Sequence, residues 1–345
     1  MRDPIRIGLF GFGRIGRNIF RQGYKNPKFE IVAISDLGRA EAMHYLLMRD
    51  SIHGVMDDEI ILEDESLKYF TGATMKNDQS VRLLAGGKPG NVPWDVFDVD
   101  IVIDSTGAYR LREELQPHLD AGAKRILVSK PPTDKIDRTV IKGINDEEIQ
   151  ATDKIISTTS STTQVLALML KILDESFGVK QAMMTTVHAY TSDQPLADAV
   201  NSDLRRSRSA VENIIPNDTW APDYVEQIMP KFKDKLEGIA FNVPVADGSC
   251  VDLTTEMVEM PAVDEVNDAF RNASMDGLRD IIGYTEDPVV SSDVIGSGET
   301  MIFDSKATMI AAGKLLKTVA WFDNGWGFAK RILELVESYG SIEDV

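Results

Sequence analysis

Cysteine is almost missing from this chain of 345 residues: there is one, Cys250. No internal disulfide framework can form, and a reducing, cytoplasmic setting is expected. Histidine is scarce as well, with four in all, and no metal site is expected. Basic charge is in deficit, at 37 Lys and Arg against 55 Asp and Glu, for a net charge of −18. Such a surface repels phosphate backbones and anionic membranes, which argues against nucleic-acid and membrane partners. No apolar run reaches the ~18 residues needed to span a bilayer. Arg6 already lies in the first strand, so no secretory leader is expected. Internal repeats and low-complexity linkers are lacking too. What remains is a chain that is 43% apolar and long for a single core, so two domains are expected.

The most informative stretch lies at the start. An apolar-biased strand from Ile5 runs into Gly11, Gly13 and Gly16, and a helical pattern begins at Arg17. This is G-x-G-x-x-G between a strand and a helix. Gly11 suits a tight turn, Gly13 lets backbone N–H groups approach a pyrophosphate, and Gly16 lets helix and strand pack closely. The phosphates would meet a helix N-terminus, where unpaired N–H groups and the dipole favour anions. Phe12, Arg14 and Ile15 complete the turn. A second strand over 29–35 ends in Asp36, 20 residues past Gly16. That is close to the spacing of the acid that binds a ribose hydroxyl. The alternative is a Gly-rich packing turn beside an ordinary loop aspartate.

Strand and helix signals go on alternating. A helix is expected near 40–48, short antiparallel strands over 57–97, a buried strand over 100–104, a helix over 111–121 and a strand over 125–129. Short apolar strands in this pattern predict a parallel sheet covered on both faces. Ligands of such sheets bind at the carboxyl ends of strands, where Ser105, Thr106, Gly107 and Ser129 lie. The second half has longer, alternating strands over 238–245, 250–260 and 315–323, with helices near 164–175, 206–213 and 264–275. They predict a mostly antiparallel sheet with helices on one face. A last amphipathic helix covers about 326–339. The expected fold class is α/β: an N-terminal Rossmann-type NAD(P)-binding domain plus an α+β catalytic domain. The polar run Ser157–Thr163, between a strand and a long helix, reads as an N-cap cluster or as a reactive turn.

Over nearly its whole length the sequence resembles the glyceraldehyde-3-phosphate dehydrogenase family. The resemblance rests on matched segments in one order: 12–17, Asp50-Ser51 with His53-Gly54, 105–107, Ser129 with Pro131, 143–145, 185–191, 203–206 with Arg208, 214–216, 251–253, 290–293 and 321–324. It implies a dinucleotide-binding domain over 1–160, with the C-terminal helix region 324–345 packing back on it, and a catalytic domain over 161–323. It also implies a homotetramer with an interface loop over 191–219. NAD is the implied cofactor, with Asp36 on the ribose and Asn324 on the nicotinamide amide. Arg39 is placed to meet a 2′-phosphate, so NADP stays open. Phe10 stands where the family commonly has asparagine.

The family activates a cysteine thiolate with a histidine at a helix N-terminus. His188 matches the histidine, but the nucleophile position is Ser161, and Thr158, Thr159, Gln164 and Val165 depart as well. A thiol of pKa ~8.5 is readily lowered to a thiolate, whereas a serine hydroxyl is far less acidic. Cys250 falls in a different motif. Ser160 and Thr162 flank the nucleophile position, and Thr191 and Arg206 match anion-binding positions. Asn242 stands where the family has arginine. Trp220, after Thr219, replaces a glycine whose N–H meets phosphate, so the inorganic-phosphate site is expected to be impaired. The resulting expectation is an NAD(P)-dependent oxidoreductase of a small aldehyde or hydroxy compound, phosphorylated, with the acyl-thioester step impaired by Ser161. One alternative is a non-catalytic dinucleotide-binding homologue with a regulatory or scaffolding role. Another is a serine hydrolase.

Overall fold

The computed structural model describes residues 4–70 and 78–342. The chain divides into two compact units. One holds the residues up to Ile141, Asn145–Thr159 and the chain from Ala329 onward; the other holds Lys142–Ile144 and Ser160–Phe328.

The first unit contains β1 (Ile5–Phe10), α1 (Arg14–Gly23), β2 (Phe29–Asp36), α2 (Ala40–Met48), the short pair β3 (Arg49–Asp50) and β4 (Gly54–Val55), then β5 (Ile61–Glu63), β6 (Ser66–Phe70), β7 (Asp78–Ala85), β8 (Ile101–Asp104), α3 (Arg112–Asp120), β9 (Arg125–Val128), β10 (Arg138–Thr139) and β11 (Ile155–Ser157). Among the described residues, nine strands form one sheet in the order β10-β11-β9-β8-β1-β2-β7-β6-β5. Pairing is parallel from β10 through to β7. It is antiparallel at β7–β6 and β6–β5. β8 and β9 are buried at every position, as strands covered on both faces must be. β1 lies between β2 and β8, so successive connections leave it in opposite directions and a crevice opens at the strand ends. Of the short antiparallel strands expected over 57–97, β5 and β6 form as such, while β7 is longer and also pairs in parallel with β2. Residues 71–77 of that segment, like 1–3 and 343–345 of the expected first domain, lie outside the described residues.

The second unit contains α4 (Ser161–Phe177), β12 (Val179–Ala189), β13 (Ile215–Asn217), α5 (Ala221–Ile228), β14 (Leu236–Val243), β15 (Ser249–Met257), α6 (Val263–Met275), β16 (Ile282–Thr285), β17 (Met301–Asp304), β18 (Met309–Ala311), β19 (Leu315–Phe322) and the start of α7 (Trp326–Ser341). Its sheet runs β13-β14-β12-β15-β19-β17-β16, with β18 on β19. Pairing is antiparallel except at β12–β14 and β16–β17. β15 alternates between buried and half-buried residues, the mark of a sheet with one covered face. α4 is buried from Thr162 through Leu170 and packs on α5, α6 and the sheet. A helix apolar nearly all round belongs in such a core.

The helix expected over 206–213 does not form; that stretch is a series of turns. Asp203 accepts the N–H of Arg205 at 2.8 Å, Asp198 accepts the N–H of Ser209 at 3.0 Å, and the Ser209 hydroxyl donates to the Leu196 carbonyl at 2.7 Å. Short polar side chains supply the partners that a helix would otherwise have offered the backbone.

Candidate active site

In the first unit, the dinucleotide turn follows β1. Gly11 has φ +93, and a Cβ there would lie 2.8 Å from the Thr106 nitrogen. A Cβ on Gly16 would lie 2.3 Å from the Gly11 carbonyl oxygen, whereas one on Gly13 would meet nothing within 4 Å. Gly11 and Gly16 are therefore required by the fold, and Gly13 faces open space. α1 begins at Arg14 and Ile15 with Gly13 as N-cap. It has no side-chain cap and no acidic residue in its first turn. Its orphan N–H groups at that opening suit a pyrophosphate. Asp36, at the end of β2, bridges back to this turn: its carboxylate accepts the N–H of Phe12 at 2.6 Å and of Gly38 at 2.8 Å. Arg39 is exposed at the start of α2. On the other side of β1, the Ser105 hydroxyl donates to the Gly11 carbonyl at 2.8 Å. Asp104 accepts both the N–H and the hydroxyl of Thr106, at 2.9 and 2.7 Å. The Ser129 N–H donates to the Asp104 carbonyl at 2.9 Å, and Gly107 turns the chain with φ +69. The ends of β1, β8 and β9 are thus tied together at the crevice.

In the second unit, His188 is the penultimate residue of β12 and is half-buried. Its Nδ1 lies 2.6 Å from the carbonyl oxygen of Ala189, and its Nε2 lies 3.0 Å from Asn324 Nδ2. A carbonyl oxygen only accepts, so Nδ1 carries the proton and Nε2 presents a lone pair. α4 opens with Ser161. Its cap is the preceding residue: Ser160 Oγ accepts the Thr163 N–H at 3.1 Å and bonds the Thr163 hydroxyl at 2.8 Å. The capping role open to the polar run therefore belongs to Ser160. Ser161 stands half-buried, as the first helical residue at the positive end of the helix. Thr162, next in line, is buried. Thr159 takes φ +62, a costly conformation for a β-branched residue, at the turn leading into this site.

The residues expected to bind substrate divide into two groups. The Thr191 hydroxyl donates to Asp193 at 2.5 Å, and Arg206 ion-pairs with the other oxygen of the same carboxylate. Asp193 thus holds Thr191 and Arg206 together. Asn242 sits opposite His188 in the β12–β14 register. It accepts from Asn217 and donates to the Ala189 carbonyl at 3.3 Å, the same carbonyl that holds the His188 ring. Trp220 precedes α5 and is 52% exposed, while the Thr219 hydroxyl accepts the Ala221 N–H at 3.3 Å. Cys250 is on β15 opposite Val187. Burial, and next the charge of Asp252, push its thiol up to about 11. It is protonated at neutral pH and cannot stand in for a thiolate.

Residues 5–112 match the model of the glyceraldehyde 3-phosphate dehydrogenase NAD binding domain, and residues 160–324 match that of the C-terminal domain. Similarity to characterised proteins extends over nearly the full chain. A glyceraldehyde-3-phosphate dehydrogenase of Streptomyces coelicolor is 41% identical over 340 residues, covering 98% of this chain and 99% of that one. Those of Priestia megaterium and Geobacillus stearothermophilus are 39% and 40% identical, each covering 96% of this chain and 97% of their own. The chain belongs to the glyceraldehyde-3-phosphate dehydrogenase family. As a member of that family it is an NAD-dependent oxidoreductase with a Rossmann-type first domain.

Asp104 holds Thr106, Asp193 holds Thr191 and Arg206, and Ser249 holds Asn324, yet none of the three stood out in the sequence. Asp104 ends a strand and Asp193 lies two residues past Thr191, a spacing typical of side-chain-capped turns. Ser249 offered no signal: its partners, Ala189 and Asn324, lie 60 and 75 residues away.

Proposed function

We propose that this chain oxidises a small phosphorylated hydroxy compound with NAD, or reduces the matching aldehyde or ketone in reverse, by direct proton and hydride exchange, without an acyl-thioester. The reading is carried by His188, whose Nδ1 lies 2.6 Å from the Ala189 carbonyl and whose Nε2, turned to the Asn324 amide at 3.0 Å, becomes the acceptor for a substrate proton when that amide yields it. That is the form a general base needs. Bound NAD supplies the hydride acceptor. In the first unit it would be held by the turn 11–16, Asp36, 105–107 and Ser129. His188 Nε2 takes the substrate's hydroxyl proton as the carbonyl forms, and returns it in the reverse direction. Ser161, at the positive end of α4, donates a hydrogen bond to the same oxygen. Arg206 and Thr191 orient the anionic tail once Asp193 yields them, with Ser160, Thr162, Thr219, Trp220 and Asn242 shaping the surroundings. NADP is the weaker ligand, because Asp36 repels a 2′-phosphate that only the exposed Arg39 would welcome.

We place the protein in the cytoplasm as a homotetramer. Leu196, Val200, Leu204, Val211 and Ile214 are all exposed within one stretch, an apolar surface suited to burial against other subunits. Among the described residues no helix is long and apolar enough to cross a membrane.

Single-turnover spectroscopy tests the reaction. Wild type, His188→Ala and Ser161→Cys are mixed with NAD⁺ or NADP⁺ and a panel of phosphorylated and plain aldehydes and polyols, and reduced nicotinamide is followed by absorbance. Wild type should give a signal with a phosphorylated substrate, and His188→Ala should lose roughly 10²–10⁴-fold. Ser161→Cys should gain glyceraldehyde 3-phosphate oxidation. Silence from wild type and Ser161→Cys, with NAD bound, would leave the non-catalytic dinucleotide-binding reading in its place.

A further inference from the structure

Ser249 opens β15 and has no exposed surface. Its hydroxyl accepts the N–H of Ala189 at 2.9 Å and donates to Asn324 Oδ1 at 2.8 Å. The direction is set at the Ala189 carbonyl, which only accepts, so the ring proton resides on Nδ1 at 2.6 Å. Nε2 is then the acceptor and faces the Asn324 amide nitrogen at 3.0 Å, which also lies 3.4 Å from Nδ1. That arrangement puts the amide oxygen toward Ser249, whose hydroxyl proton goes to it while the hydroxyl oxygen accepts the Ala189 N–H. The bonds return to the residue where they began. The backbone of Asn324 is held separately, by its N–H to Asp247 at 2.9 Å.

We infer that Ser249 is a positioning residue for His188: by orienting the Asn324 amide it keeps Nε2 of the imidazole as an unprotonated acceptor, ready for a substrate proton. Which ring nitrogen bears the proton is set by the bond that the other makes. Without the hydroxyl the amide oxygen of Asn324 loses its donor, an inverted amide would face Nε2 with an acceptor, and the Ala189 carbonyl alone is left to hold the tautomer. The inference rests on reading His188 as the proton-exchanging group, but its test needs no substrate.

The measurement is side-chain NMR of the full-length protein labelled with ¹⁵N-histidine, above the titration of the ring. Four histidines give few signals, and His188→Gln identifies those of His188. In wild type, His188 should show a protonated Nδ1 and a bare Nε2, with widely separated nitrogen shifts. Ser249→Ala should draw the two shifts toward each other as tautomers mix. Ser249→Cys, close in size with a weak S–H donor, should lie between. Asn324→Asp keeps the shape but faces Nε2 with a carboxylate oxygen, and should invert the pattern. The inference is overturned by a wild-type ring protonated at Nε2. It is also overturned if folded Ser249→Ala and Ser249→Cys proteins both keep the wild-type pattern. A failed tautomer test leaves the substrate panel to be judged alone, and silence in that panel leaves the tautomer assignment standing.

Discussion

Asp193 holds two groups that a phosphate would want. It pairs with Arg206 and accepts from Thr191, and the two members of the ion pair are 34% and 61% exposed. An exposed pair of this kind contributes about 0–1 kcal/mol, so a doubly charged ligand can displace it. Asp193→Asn removes the competitor and frees the guanidinium. Binding of the phosphorylated substrate is expected to tighten about threefold to tenfold at low salt, and the gain should shrink as salt is added. Calorimetry with phosphorylated and plain analogues reads this directly, and the plain analogue should not respond. Gly11 to Gly16 and Asp36 could be singled out by local spacing, whereas Ser161 and His188 were singled out by the family resemblance of the segments around them. Asn242 and Ser249 reach Ala189, beside His188, from β14 and the start of β15, and no spacing along the chain encodes that.

The turn between β1 and α1 separates two kinds of glycine. Gly16 packs against the Gly11 carbonyl, where a Cβ at 2.3 Å has no room. Gly16→Ala is expected to cost about 1–3 kcal/mol, as overpacking does, and to lower the melting temperature by several degrees in a thermal melt. A Cβ on Gly13 touches nothing within 4 Å, and the residue's φ of −70 suits any side chain. Gly13→Ala should therefore melt within a degree or two of wild type, while NAD affinity, followed by calorimetry, falls at least about tenfold because the methyl fills the phosphate opening. Elements of this length were legible: β1 and β2 as apolar runs beside turn residues, α1 as the helical pattern after the glycines, and α4 as a long apolar stretch behind a polar cap. The turns around Asp198 and Asp203 were not. Their segment has helix-compatible charges and apolar residues, and side-chain hydrogen bonds outweigh that weak pattern. α5, eight residues long with Pro222 at its start, offered too few turns to show a period.

At the scale of the whole molecule, acid should be the weak flank. The His53 ring and the backbone N–H groups of His53 and Ile52 outweigh burial and hold the Asp50 carboxyl well below the usual range. Burial works against the Asp137 carboxylate, but Arg112 and the N–H groups of Ile155 and Lys154 prevail and hold it low as well. A carboxyl depressed in the folded state gives its stabilisation in full above the unfolded value of about 3.9. It loses it as the pH falls through the lower folded value. Circular-dichroism melts should be nearly flat from pH 7 to 5 and fall steeply below about 4. Asp50→Asn should start lower and show a shallower acid slope. Assembly is tested by sedimentation: Val200→Glu with Leu204→Glu places charge on side chains that are fully and 82% exposed in the single chain. The tetramer should give way to smaller species while the fold survives. The lone sulfhydryl carries a different consequence. Peroxide and alkylating agents attack thiolates, yet Cys250 is kept protonated and position 161 has no sulfur to modify. Oxidative stress that silences a thiolate-dependent dehydrogenase finds no such target at position 161, so peroxide should leave that position chemically unchanged.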